Sequence, residues 1–207
     1  MSSETVLRAS AIAALIESLS KLFRILVPVQ IVDKEVDSEY RRGLQDVELQ
    51  VGVSVMGNPK TKELLRDYVI GNIKDASDQT QDKLRQLITR AVVENKPLNE
   101  VQKDIKELMD ATTERARMIA RTELNRARNI GHLEGAKQSS LNLKKWVLVR
   151  EDERTSGICL EMHSKYGDES KAIDLDENFE ADGVSAQAPP FHVHCRSRLM
   201  TVQEEST

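Results

Sequence analysis

Large aromatic side chains are nearly missing from this chain, which has one Trp, three Tyr and three Phe in 207 residues. That scarcity argues against one large core built on ring packing and leaves Leu, Ile, Val and Ala stripes as the main apolar material, which suits helices. Cysteine is almost as rare: Cys159 and Cys195 are too few for a disulfide framework. No stretch approaches the roughly 18 apolar residues of a membrane span. Met1 to Ser10 also lacks the basic region and long apolar core of a secretory signal. The expectation is a protein made in the cytosol, with no membrane partner, that stays there or enters a particle assembled there. An excess of positive charge is missing too. With a net charge of -4 the chain has no general attraction to nucleic acid, so any DNA contact must come from a local cluster of Lys and Arg.

What is present is mostly helical patterning. Thr5 to Leu26 carries Leu7, Ile12, Leu15, Ile16, Leu19, Leu22, Phe23 and Leu26, mostly at steps of three and four, and Pro28 ends that helix. Tyr40 to Val55 fits a helix or a strand, because Val47, Leu49, Val51, Val53 and Val55 alternate. Gly57, Asn58 and Pro59 then break the chain. Helix signals dominate from Thr61, with a break expected near Asp75 to Asp78, a turn at Asn95 to Pro97, a short helix closing near Asp110 and a Thr112 or Thr113 cap on a helix reaching Lys137. After Ser139 the texture changes. Lys145 to Arg150 reads as a strand, Asp152 to Gly157 as a turn, Asp168 to Ala188 as an acidic loop region and Arg198 to Val202 as a final strand. Trp146 is the expected core aromatic of this part. The fold class is therefore mainly α: an elongated helical N-terminal part, divided into 1–60 and a helical arm 61–140, followed by a small α+β module at 141–207.

The helix from Thr113 to Lys137 carries six Lys or Arg against three Glu, a local balance that favours an anionic neighbour. Taking Arg117 as zero places Arg121 at about 40° and Arg128 at about 20°, so three guanidiniums share a face. That face is either solvated or a contact for DNA phosphates or an acidic partner surface. Glu123 falls at about 240°, inside the apolar arc of Ile119, Ala120, Ala127 and Ile130. A carboxylate there is costly to bury without a partner. Arg126 is the local candidate, and Arg154 and Arg196 are the distant ones. Together these four residues are read as an ionic latch between the helix and the C-terminal module.

Near the end, Cys159 and the pair His192 and Cys195, three residues apart, are zinc-binding residue types, although paired CxxC units are missing. They can equally be a disulfide with a nearby histidine, or packing residues. A small metal-dependent nuclease or hydrolase is the rival reading. It would use Cys159, His192, His194 and Cys195, with Glu123 or Asp152 as base.

Four segments in order carry a resemblance: IARTELNRARNIG at Ile119 to Gly131, then Trp146, then DERTSGIC at Asp152 to Cys159, then APPFHVHCRS at Ala188 to Ser197. This set resembles the phage Mu F-like (MuF) minor head proteins over about the last hundred residues, and Thr61 to Asp110 is similar to the region preceding it. The resemblance implies a non-enzymatic structural protein of a tailed bacteriophage. Such a protein is present in few copies inside the capsid near the portal, assembled in the host cytoplasm, and involved in head assembly or in genome packaging or ejection. The implied partners are the portal protein and other head proteins, with packaged DNA as a further contact. Many members carry a cysteine where this chain has Ser156 and another where it has Ser197. That departure counts against a four-thiolate zinc site here and leaves no required cofactor, with zinc on Cys159, His192 and Cys195 as the remaining metal option.

Overall fold

A computed structural model describes residues 29–94, 96 and 98–204. The expected helix at Thr5 to Leu26 and its stop at Pro28 lie outside the described residues. The order is α1 (Val29–Val51), α2 (Pro59–Val93), α3 (Leu98–Gln138), β1 (Leu143–Leu148), α4 (Gly157–Tyr166), β2 (Ile173–Asp174), β3 (Phe179–Ala181), β4 (Val184–Ala186) and β5 (Arg198–Gln203). A 3-10 turn at Glu169–Lys171 precedes β2. The fold is mainly α with a small α+β module, as the sequence patterning implies.

At the level of elements one open reading is decided and two expectations are corrected. Residues 47–51 are helical: Val36, Tyr40, Leu44 and Val47 are buried at steps of three and four, whereas Leu49 in the alternating run is 86% exposed. No break occurs at Asp75 to Asp78, because exposed acids are tolerated on a helix surface and the Thr80 hydroxyl bonds back to the Ala76 carbonyl at 2.8 Å. No cap forms at residues 112 and 113. With no Gly or Pro between Leu98 and Ile130, nothing stops the helix, and α3 runs through. Pro59 does begin α2, where the Asn58 side chain accepts from the Lys60 amide at 2.9 Å.

The described chain divides into two compact units, residues 29–32 with 70–117 and residues 33–69 with 118–204. In the first, the second part of α2 and the first part of α3 bury Leu84, Ala91 and Thr80, and Lys96 pairs with Asp104 at 3.2 Å.

The second unit holds the candidate site. Here α1 and the rear of α3 touch backbone to backbone. A Cβ at Gly43 would strike the Arg128 carbonyl, and one at Gly131 would strike the Tyr40 carbonyl. Tyr40 is fully buried at this crossing. Its hydroxyl donates to Glu134 and accepts from the Asn58 amide. Burial and the Glu134 carboxylate push the Tyr40 phenol well above its ordinary range.

The module's main sheet has the order β2-β1-β5, both pairs antiparallel, with Trp146 opposite Met200; β3 and β4 form a separate hairpin. On β1 the inward positions are Leu143, Lys145 and Val147, which puts Trp146 on the other face and only partly buried. The core aromatics are instead Phe179, Phe191 and Tyr166, packed edge to face at 5.1 and 6.0 Å. Lys145 is wholly inaccessible to solvent. Its Nζ donates to the carbonyls of Leu175 (2.7 Å) and Gln187 (2.9 Å) and lies 5.1 Å from the Phe179 ring centre. Burial lowers its pKa to about 8.

The outer edge of β5 is occupied by helix side chains. Asn129 Oδ1 accepts from the Leu199 amide at 2.8 Å. The Gln50 amide donates to the Thr201 carbonyl, and the Thr201 hydroxyl donates back to Gln50.

Candidate functional site

The site is built where α3, the first turn of α4 and the segment before β5 meet. Ser156 caps α4, its Oγ accepting from the Cys159 amide at 3.3 Å, which fixes Cys159 in the first turn. The opposite wall is the His192–Cys195 turn, closed by Cys195 N–H donating to the His192 carbonyl at 3.2 Å. His194 adopts a left-handed backbone, with φ 64°, and its amide donates to Thr122 Oγ1 on α3 at 3.0 Å. One helical turn on, the Asn125 side chain donates to the carbonyls of Cys195 (3.0 Å) and Ser197 (3.1 Å), and Asn129 also reaches Ser197. Asn125 and Asn129, four apart on α3, thus grip the backbone on both sides of Arg196.

Cys159, His192 and Cys195 come together, their ligand atoms all within 4.8 Å of one another. Cys159 Sγ lies 3.0 Å from His192 Nε2, 3.7 Å from Cys195 Sγ and 3.3 Å from Ser197 Oγ. Ser156 Oγ lies 2.7 Å from His192 Nε2. His192 Nδ1 is 2.6 Å from the Val193 carbonyl, so the proton belongs on Nδ1 and the Nε2 lone pair faces the two thiols. The Cys159 thiol donating to Cys195, helped by Ser197 and opposed by burial, brings Cys195 down to about 5, and the same pairing with burial pushes Cys159 up. Two free cysteines, a histidine and two serine hydroxyls therefore share one buried point, beside a cavity of about 10 Å³ that Arg196 also lines. His194 is exposed and stands outside the cluster.

The charged residues sort differently from the sequence reading. Glu123 is 5% exposed and bonds Arg126 Nε at 2.9 Å, and the Arg126 guanidinium sits 5.3 Å from the Tyr68 ring centre. Arg196 instead closes on Asp152 with two bonds of 2.6 and 2.5 Å. That pairing, with the Arg154 amide, holds the Asp152 carboxyl well below the usual carboxylate range. Arg154 is exposed and reaches Asp152 only at 4.0 Å. Of the three arginines assigned to one face, Arg121 is exposed and Arg117 is exposed and pairs with Glu114. Arg128 is 18% exposed and bonds Asp46 of α1 at 2.8 and 3.0 Å. A single dry side does not describe α3 throughout: beyond Arg128 the helix passes between α1 and the module and is covered almost all round.

Beside Arg128 lies buried His132, whose Nε2 meets Thr201 Oγ1 at 3.2 Å. Since the Thr201 hydroxyl donates to Gln50, His132 must donate, which fixes a neutral Nε2–H ring. Burial, partly opposed by Asp46 and reinforced by Arg128, lowers its pKa to about 4. A cavity of about 520 Å³ opens here, lined in part by Leu49, Leu148 and Met200.

The model of the family described as Phage Mu protein F like protein matches residues 82–200. The chain belongs to that family. The family match spans the rear of α3, β1, the capped turn into α4 and the His192–Ser197 segment, so every group of the cluster lies inside it. The chain is also similar to the NAD(+)–arginine ADP-ribosyltransferase EFV of Enterococcus faecalis (strain ATCC 700802 / V583). The two are 31% identical over 135 residues, covering 59% of this chain and 26% of the relative. The chain thus spans about a quarter of the curated relative it matches. No solved structure matches the chain significantly. Among the described residues no helix is long and apolar enough to cross a membrane.

Asn125, Asn129, Lys145 and His132 went unread in the sequence. The only signal was the placement of Asn125 and Asn129 four residues apart inside a strong helix, where Asn is a poor helix former and needs a reason to be present.

Proposed function

We propose that this chain is a non-enzymatic minor structural protein of a tailed-phage head, held inside the capsid near the portal and acting in head assembly or in genome packaging or ejection. The observation that carries this reading is membership of the Phage Mu protein F-like family over residues 82–200. The helical part contacts the portal and other head proteins, and the module is a compact knob. Arg117 and Arg121, both exposed, are the contact for DNA phosphate or an acidic partner surface. Arg128, engaged with Asp46, serves the fold instead.

The site's electrostatics support a structural role over hydrolysis. A metal-assisted hydrolase on this cluster needs a general base, and the two candidates are Asp152 and Glu123. Asp152 is held by Arg196 and is a poor proton acceptor, and Glu123 is buried against Arg126. The arginine ADP-ribosyl transfer named for the relative belongs to a protein roughly four times the aligned length, and nothing in the cluster calls for it.

Mass spectrometry of purified particles should find the chain in low copy, co-purifying with the portal. Absence from particles, or turnover of a nucleic acid or ester that Cys159→Ala abolishes, would overturn the reading. Replacing Arg117 and Arg121 by Glu should weaken retention on DNA and flatten its salt dependence by about two counterions.

A further inference from the structure

We propose that Cys159, His192 and Cys195 bind one zinc ion, with the fourth position taken by a water in the adjoining cavity. The argument starts from distance. Zinc–thiolate bonds of about 2.3 Å at a tetrahedral ion put two sulfurs about 3.7 to 3.8 Å apart. Cys159 and Cys195 stand 3.7 Å apart already. A disulfide would instead require the sulfurs to close to about 2.05 Å. An imidazole nitrogen on the same ion lies about 3.6 Å from each sulfur. His192 Nε2 is 3.0 Å from Cys159 Sγ, so a ring shift of about half an ångström brings that pair to the ligand spacing, and all three ligand atoms already lie within 4.8 Å of one another.

The surroundings are those a metal-binding histidine needs. His192 Nδ1–H donates to the Val193 carbonyl at 2.6 Å, which orients the ring and leaves Nε2 as the donor atom. Ser197 Oγ, 3.3 Å from Cys159 Sγ, can donate to the thiolate. Asn125 fixes the Cys195 carbonyl, so both supports of the first ligand shell are tied to α3 or the turn. The cavity of about 10 Å³ bordered by Ser156, Cys159, His192 and Ser197 has room for about one water beside two of the three ligands. Two thiolates and one imidazole in a tetrahedral frame select zinc over oxygen-loving cations. The ion would join the first turn of α4 to the segment before β5, two pieces of chain that meet only through side chains. With both cysteines bound as thiolates and the imidazole neutral, the divalent ion leaves the site without net charge. This inference goes beyond the head-protein reading and stands or falls separately from it.

The test uses the full chain, purified under reducing conditions, stripped with a chelator and titrated with zinc alone, with cobalt as a spectroscopic probe. The expected result is one equivalent of zinc. Cobalt should give a thiolate charge-transfer band with tetrahedral d–d absorption, both thiols should become protected from alkylation, and the melting temperature should rise on loading. His192→Ala should weaken binding by at least about a hundredfold. Because Cys159→Ser can unfold the module, the complementary variant is Ser197→Cys, which adds a thiolate beside the open position and should tighten binding by about tenfold or more. Failure to bind zinc at micromolar concentration with both thiols alkylated freely would overturn the proposal. So would a metal-free chain lighter by two hydrogens, showing a Cys159–Cys195 disulfide, or a Ser197→Cys variant with unchanged affinity.

Discussion

The two units of this chain are stabilised by different chemistry. Among the described residues of the unit formed by residues 70–117, burial falls on Leu84, Ala91 and Thr80, whose hydroxyl bonds its own helix, and exposed charges pair on the surface, as Arg85 with Asp82 and Arg117 with Glu114. In the other unit, Glu123, Asn129, His132, Lys145, Ser197 and Thr201 are all buried. Surface pairs can be exchanged at little cost, whereas a buried polar group has few arrangements that satisfy it. The first unit is tolerant by composition, and the second is specified group by group.

Glycine gives the sharpest contrast. Gly43→Val should prevent α1 and α3 from approaching and cost at least about 3 kcal/mol, enough to abolish cooperative unfolding of that unit. Gly71 sits in α2 with nothing near an added Cβ. Urea denaturation of both variants makes the comparison, and equal losses would break it.

Glutamate comes next. Glu123→Ala removes one member of a buried pair and should cost about 3 kcal/mol or more, whereas Glu114→Ala, in an exposed pair, should cost under about 0.5 kcal/mol. Chemical denaturation decides. A loss at Glu123 no larger than that at Glu114 would mean that burial is not what distinguishes them.

Acid should strike the second unit first. The unfolded His132 takes a proton near pH 6.5, but the folded ring resists until about 4. Between those values the unfolded state binds more protons, so stability falls with falling pH, by at most about 3 kcal/mol for this group. His132→Gln should flatten that part of the profile in melts monitored by the Trp146 signal. Lys145 acts at the other end. Its folded pKa of about 8 lies below the unfolded value, so stability should rise from about pH 8 to 10.5, and Lys145→Met should remove the rise.

The smallest expected effect is a gain. Gly71→Ala should stabilise the first unit by up to about 1 kcal/mol through helix propensity alone. Hydrogen exchange of residues 70–90 would show it as slower opening.

Periodicity made the helical class and the first and last strands of the module readable in advance, because burial enforces spacing directly on the sequence. The stripe at Val36, Tyr40, Leu44 and Val47 was present in the letters, yet the overlapping alternation from Val47 to Val55 hid it. Partner choice was not readable. Arg196 was assigned to Glu123, and only the fold places Asp152 in the turn that faces it. Lys145 was invisible for a related reason. A lysine on a strand reads as outward until the loops that supply the Leu175 and Gln187 carbonyls are in place. The gathering of Cys159, His192 and Cys195 depends on the same long-range closure of β1 against β5.

The occupied rim of β5 bears on how copies of this protein behave when crowded. An outermost strand ordinarily offers a row of free amides and carbonyls to any neighbour, and so invites chain-to-chain sheet extension. Here Asn129 and Gln50 answer the Leu199 amide and the Thr201 carbonyl from within the same molecule. A second copy arriving at that rim would have to displace side chains already bonded there, so the module is guarded against aggregation along the border its topology leaves open.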